Sequence, residues 1–130
     1  MQLDPENTGL ESNSVDMIIC NHVLEHVSDY KKALTEMKRI IKPGGKIIIS
    51  FPVDNSYGDV YEDGTITDEK GRIKAFGQYD HLRIFGRNTK QMLENFGFKV
   101  YEIRGENYDK KIKPVTGPAD YDINVLYVLN

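Results

Sequence analysis

The sequence predicts an α/β fold in which parallel strands alternate with helices. Three observations carry that expectation. Val15-Asp16-Met17-Ile18-Ile19-Cys20 is a short apolar run rich in β-branched residues, the kind that forms strands buried on both faces inside parallel sheets. A helical pattern follows it over residues 29–41. A second apolar run, Lys46 to Val53 with Ile47-Ile48-Ile49 at its centre, follows the helix. A strand, helix and strand of these lengths suit a right-handed crossover between parallel neighbours.

Each element has its own signature. Ser28 is a suitable N-cap and Asp29 suits the positive end of a helix dipole. Tyr30, Ala33, Leu34, Met37, Ile40 and Ile41 then recur at helical spacing and form one apolar stripe. Lys42 complements the last turn, and Pro43-Gly44-Gly45 ends the helix and turns the chain. Residues 1–14, with Pro5, Gly9 and several Asn and Ser residues, read as loop. Residues 54–86 read as a long polar connection containing Gly58, Gly64, Gly71, Gly77 and Gly86; a connection this long in a compact domain is usually functional or partly ordered on its own terms. Thr89–Phe96 reads as a short helix stopped by Gly97. Phe98–Arg104 and Ile123–Leu129 read as two further strands, joined through residues 105–122 with Pro114 and Pro118.

Composition narrows the function classes. A length of 130 residues corresponds to one domain, expected over residues 1–130. Seventeen basic and twenty acidic side chains give a formal charge of −3. With both signs mixed along the chain, nothing marks a surface for nucleic acid or anionic membrane. Cys20 is the only cysteine, which excludes an internal disulfide framework and a cysteine-rich zinc site and points to the reducing cytoplasm. No stretch approaches the roughly 20 apolar residues that span a bilayer, and the polar, acidic start is unlike a secretory signal.

Residues 14–52, SVDMIICNHVLEHVSDYKKALTEMKRIIKPGGKIIISFP, resemble a class I S-adenosylmethionine-dependent methyltransferase of the type 11 kind. The resemblance runs from the Ser14-Val15-Asp16 strand start through the HVLEH turn and the KPGG turn into the next core strand. It extends to Gly77-Gln78-Tyr79-Asp80-His81-Leu82-Arg83-Ile84-Phe85-Gly86 and to the helix ending Phe96-Gly97-Phe98. It implies a Rossmann-like fold, S-adenosylmethionine as cofactor and methyl transfer as the activity. The family's cofactor site begins with a glycine-rich loop after its first strand and an acidic residue after its second. No GxGxG string occurs in this sequence. The resemblance starts after the family's third strand, so about half of the usual fold is expected to be missing. A natural remnant, a fragment of a longer protein and a wrongly assigned start are the alternatives.

The resemblance implies cofactor contacts at Asp4, Asn21 and His22. Asp4 lies 12 residues before Asp16, where the family has an acidic residue facing the adenine amino group; the alternative is an ordinary Asp-Pro turn. Asn21 and His22 follow the carboxyl end of the first strand, where ligands sit in open parallel sheets. For substrate chemistry the candidates are Asp80 and His81 as catalytic residues, with Tyr79 and Arg83 binding the acceptor. A histidine beside a carboxylate can hold a near-neutral pKa and take a proton from the nucleophile. An arginine pairs with carboxylate or phosphate. Glu25-His26 is competent to ligate a metal, but the favoured reading is a hydrogen bond at the helix start, and no metal is expected.

The sheet order expected from the family is 15–20, 46–53, 123–129, 98–104, with three strands parallel and 123–129 antiparallel. Strand 15–20 then lies at an edge, with neither proline nor lysine to blunt it. Such an edge is a template for another chain. A homodimer is therefore expected, pairing strand 15–20 with its mate across a two-fold axis; the alternative is a separate polypeptide supplying the absent half. By itself the chain is expected to be inactive or nearly so, because methyl transfer depends on a tightly held, aligned cofactor. A non-catalytic module that dimerises or scaffolds is the competing function.

Overall fold

The computed structural model describes residues 3–104, 121–122 and 125–130. Strand β1 (Val15–Asn21), helix α1 (Tyr30–Ile40) and strand β2 (Ile41–Ser50) form the first unit, followed by β3 (Val53–Asp54), β4 (Tyr61–Glu62) and helix α2 (Glu69–Phe76). Then come β5 (Arg83–Ile84), helix α3 (Thr89–Asn95), β6 (Val100–Ile103), β7 (Tyr121–Asp122) and β8 (Leu126–Leu129). The main sheet has the order β1-β2-β8-β6, as the sequence predicts. β1 and β2 are parallel, with Met17 opposite Lys46 and Asn21 opposite Ser50. β8 runs antiparallel to both β2 and β6, with Leu129 opposite Ile47 and Val100. β1, β2 and β6 therefore share a direction.

Helix α1 buries its predicted stripe, Tyr30, Ala33, Leu34, Met37 and Ile40, against the sheet face carrying Ile47, Ile49, Tyr127, Leu129 and Val100. Its N-cap is Asp29 rather than Ser28: the Asp29 carboxylate accepts from Lys31 N and Lys32 N, each at 3.0 Å. The Ser28 carbonyl is held instead by Arg83, so the helix begins one residue later. Pro43-Gly44-Gly45 lies inside β2 as a bulge, because Val15 pairs with Ile41 while Met17 pairs with Lys46. Gly44 has φ +81°, and a Cβ on Gly45 would meet the Asp16 carbonyl at 2.9 Å. β2 ends at Ser50, and Val53 belongs to a separate short strand paired with β7.

Two other expectations change. β1 is not buried on both faces: Met17 is 53% and Ile19 64% exposed, because no described element covers that side of the sheet. The 54–86 connection is partly ordered on its own terms, one of the two expectations for it. It contains the β4–β5 ladder, with Tyr61 opposite Ile84 and Glu62 opposite Arg83, and helix α2, capped by Asp68 through Gly71 N and closed by left-handed Gly77 at φ +87°. The β8 strand begins at Leu126 and β6 spans only Val100–Ile103; Ile123, Asn124 and most of the 105–122 connection lie outside the described residues. Among the described residues no helix is long and apolar enough to cross a membrane.

The N-terminal segment runs along the outer side of α1. Thr8 donates to Glu36 through both N and Oγ1, Arg39 donates to Glu36 and to the Leu10 carbonyl, and Ser14 N reaches the Ile40 carbonyl. Arg39 and then Thr8 hold the Glu36 carboxyl down to about 2. This docking leaves an apolar groove of about 340 Å³ beside β1, lined by Leu3, Pro5, Leu10, Met17, Ile19 and Val23 among others.

Candidate functional site

The site lies at the carboxyl end of β1. Asn21 Oδ1 accepts from Ser50 Oγ at 3.0 Å, and His22 N donates to the Ser50 carbonyl at 2.8 Å. These bonds tie the ends of the two parallel strands together. His22 takes φ +52°, a left-handed conformation that costs a non-glycine residue energy and tends to occur at functional turns. It sends the chain into a tight turn closed by His26 N on the Val23 carbonyl at 3.0 Å. Leu24 and Glu25 are thereby buried, at 0% and 1% exposure.

A second segment clasps this turn. Leu82 N donates to the Glu25 carbonyl at 2.9 Å. Arg83, 2% exposed, donates from Nη1 to the Leu24 and Val27 carbonyls, both at 2.6 Å, and from Nη2 to the Ser28 carbonyl at 3.0 Å. Its Nε reaches Glu62 Oε1 at 2.5 Å, and the guanidinium lies 5.3 Å from the Tyr30 ring centre. The sequence expectation that Arg83 binds an acceptor is therefore corrected. Its fork is spent on backbone carbonyls that the turn leaves without other partners, and it acts as a positioning residue.

The clasp brings His81 against His26, the rings edge to face at 4.8 Å. The expected pairing of Asp80 with His81 does not form. Asp80 lies in the turn that follows α2 and His81 just beyond it, and there Asp80 Oδ2 lies 3.4 Å from His26 Nδ1 while His81 turns inward to 4% exposure. His81 Nδ1 donates to the Phe76 carbonyl at 3.2 Å. Burial pushes the His81 pKa below its ordinary value, against smaller raising contributions from the Phe76 carbonyl and Glu25. Burial thus disfavours the charged ring, and the bond to the Phe76 carbonyl holds the proton on Nδ1. Glu25 Oε1 lies 3.2 Å from His22 Nδ1 and 3.9 Å from His26 Nε2, and Glu25 Oε2 has no hydrogen-bond partner among the described residues.

Among the other candidates, Tyr79 is 53% exposed. Asp4 is exposed, and its Oδ1 accepts from Glu6 N at 2.9 Å, which is the Asp-Pro turn chemistry the sequence offered as an alternative. Its neighbours Leu3 and Pro5 line the groove together with Cys20 and Val23. Glu62 was not singled out in the sequence, since its partner Arg83 stands 21 residues away and no local pattern links them. A cleft of about 380 Å³ lined by Tyr30, Val60, Asn88 and Met92 includes none of the histidines.

Cys20 is 5% exposed at the end of β1, and burial, then the Glu25 charge, push its thiol up to about 12 from an ordinary 9.0. A raised acid pKa means the unfolded chain loses its proton first. Stability is then fully present below pH 9 and falls as pH rises toward 12, by up to about 1.4 kcal/mol per pH unit. Urea midpoints at pH 8 and pH 10 are expected to differ accordingly, and Cys20→Ala is expected to flatten the difference.

Sequence and fold comparisons agree on what this arrangement resembles. The Methyltransferase domain family matches residues 1–49, the stretch that holds β1, α1 and most of β2. The ubiquinone/menaquinone biosynthesis C-methyltransferase UbiE of Idiomarina loihiensis is 37% identical over 125 residues, covering 94% of this chain and 45% of that protein. Among solved structures, a SAM-dependent methyltransferase from Archaeoglobus fulgidus superposes with a TM-score of 0.63 at 12% identity, covering 99% of this chain and 66% of that one. One from Thermotoga maritima gives 0.59 at 20% identity, covering 99% and 62%. At such identities the superpositions establish the fold, which is the Rossmann-like α/β fold of methyltransferases. Over residues 1–49 the chain matches the Methyltransferase domain family, and it is similar to part of S-adenosylmethionine-dependent methyltransferases. It spans 40–45% of the length of the first curated relatives it matches.

Proposed function

We propose that this chain contributes to S-adenosylmethionine-dependent methyl transfer, with the cofactor beside the carboxyl end of β1 and the acceptor on the side of Tyr79, Asp80 and His81. The observation that carries this reading is the coincidence of the methyltransferase sequence match with the β1–α1–β2 unit, whose strand end holds Asn21 and His22. In open α/β sheets that end is where ligands bind. The sulfonium supplies an activated methyl group. The protein's part is to align the acceptor in line with the carbon–sulfur bond and to take up its proton. Asn21 and His22 line the methionine side, and Asp4, near the groove beside β1, lies toward the adenine. The neutral imidazole of His81, with His26 and Glu25 around it, is the proton-accepting cluster, and Asp80 orients His26.

The open edge of β1 supports a second part of this reading. Met17 and Ile19 stand exposed beside an apolar groove, and unpaired edges of this kind recruit another strand. We place a second copy of the chain there, in the cytoplasm, pairing β1 with β1; a separate polypeptide that completes the domain would occupy the same edge. One sample tests both parts. Light scattering at micromolar concentration is expected to give a dimer, reduced to a monomer by Ile19→Lys. On the same protein, S-adenosylhomocysteine titrated by amide NMR is expected to bind no tighter than about millimolar and to shift Asn21 and His22 first. An unchanged spectrum at saturating ligand would overturn the cofactor reading, and a wild-type monomer would overturn the dimer.

A further inference from the structure

The turn after β1 and the clasping segment bring three side chains of metal-binding type together, and none is explained by packing alone. Glu25, His26 and His81 each offer one ligand atom, and these atoms lie within 4.8 Å of one another. A zinc-type ion with bonds of about 2.1 Å holds tetrahedral ligands about 3.4 Å apart, so small side-chain rotations close the set. Glu25 is 1% exposed, yet its Oε2 has no hydrogen-bond partner among the described residues. A buried carboxylate oxygen without a donor is costly, and a cation removes that cost.

The outer contacts orient each ligand. His81 Nδ1 donates to the Phe76 carbonyl at 3.2 Å. His26 Nδ1 faces Asp80, 3.3 Å from its carbonyl and 3.4 Å from its carboxylate. Glu25 Oε1 is held by His22 Nδ1 at 3.2 Å. His26 Nε2 thus faces the Glu25 carboxylate, 3.9 Å from Oε1, and the buried Oε2 beside it has no hydrogen-bond partner among the described residues. A carboxylate or carbonyl behind each ligating histidine fixes its tautomer and raises its basicity.

We propose that Glu25, His26 and His81 form a site for a divalent first-row transition ion of zinc-like preference, reached from the partly exposed His26 side. Two imidazoles and one carboxylate suit zinc, cobalt or iron rather than magnesium or calcium. Three protein ligands leave a coordination position open to an oxygen. This differs from the sequence expectation for Glu25-His26, which lacked the third ligand because His81 lies 55 residues beyond His26. With the ion in place the nitrogen lone pairs would be spent on it, and an acceptor oxygen bound at the open position would be made acidic enough to lose its proton to solvent water rather than to His81. That last consequence rests on the methyltransferase reading; the binding of the ion does not.

The test is titration of the chelator-stripped chain with cobalt(II), followed by visible absorption, and with zinc by calorimetry. One equivalent is expected, with the intense d–d bands of a low-symmetry four- or five-coordinate site, and zinc is expected to displace the cobalt. Glu25→Gln and His26→Ala are each expected to weaken binding by more than tenfold, and Asp80→Asn by about tenfold. His81→Ala empties a buried position, so the two less intrusive variants, checked for folding by circular dichroism, decide the matter. Absence of saturable uptake by folded protein, or uptake unaffected by Glu25→Gln and His26→Ala, would overturn the site. Neither readout depends on S-adenosylmethionine, so the failure of one proposal leaves the other standing.

Discussion

Replacing Arg83 with methionine is expected to destabilise the protein by about 3–5 kcal/mol, a large share of the 5–15 kcal/mol that holds a domain of this kind folded. The guanidinium is 2% exposed and donates to the carbonyls of Leu24, Val27 and Ser28 as well as to Glu62. Methionine fills much of the volume but offers no donor. Three carbonyls of the 24–28 turn then lose their partner, and the Glu62 carboxylate loses its cation. Arg83→Lys is expected to recover only part of the loss, because an ammonium on a flexible stem cannot span three carbonyls as a planar fork does. Chemical denaturation of the three proteins measures the order wild type, Lys, Met. An Arg83→Met midpoint equal to that of wild type would show that the turn holds itself.

Phe85→Ala is expected to cost a similar amount, about 3–5 kcal/mol. Phe85 is fully buried, stacked on Phe51 with ring centres 3.9 Å apart and met edge-on by Tyr30 at 5.6 Å. Phe51 in turn stacks on Tyr127 of β8 at 5.6 Å. This column of rings joins β8, the end of β2, the clasping segment and the first turn of α1. Truncation removes its middle member and leaves a cavity that four separate segments would have to close. Phe85→Leu keeps most of the volume and is expected to lose less than half as much. Thermal or urea unfolding separates the two variants. Equal, small losses would mean that the column contributes packing no better than its neighbours.

Both substitutions act where the clasping segment meets the turn after β1, and that junction is what the sequence concealed. The β1–α1–β2 unit was legible because its signals are local. An apolar stripe at helical spacing lies within a few residues of the structure it specifies, although the cap fell on Asp29 rather than Ser28 and Pro43-Gly44-Gly45 bulges β2 rather than ending the helix. The order of the four sheet strands, with β8 antiparallel, was available from family resemblance. Helix α2 was missed because only Phe76 of its eight residues is buried and a glycine interrupts it, so no stripe marks it. Its ends were nonetheless written in Asp68 and Gly77, a capping pair that a search for punctuation could have found.

The site residues divide on the same line. Asn21 and His22 could be placed because strand ends follow from strand prediction. Asp80-His81-Leu82-Arg83 was recognised as a polar cluster of interest, but its sides were assigned wrongly. Sequence adjacency suggested that Asp80 serves His81, whereas the backbone turns Asp80 to His26 and His81 to the interior. Arg83 looked like a ligand for substrate because a charged residue in a glycine-rich connection is usually solvated. The turn at 24–28 instead supplies enough unpaired carbonyls to satisfy it in the interior.

Residue order alone thus determined the strand–helix–strand unit and the apolar stripe of its helix, since both depend on contacts between near neighbours. Tertiary structure alone decided which of Glu25, His26, Asp80, His81 and Arg83 face one another. Those pairings span more than 50 positions, and no periodicity encodes them. They are fixed by where buried carbonyls, a carboxylate and two imidazoles can find partners once water has been excluded.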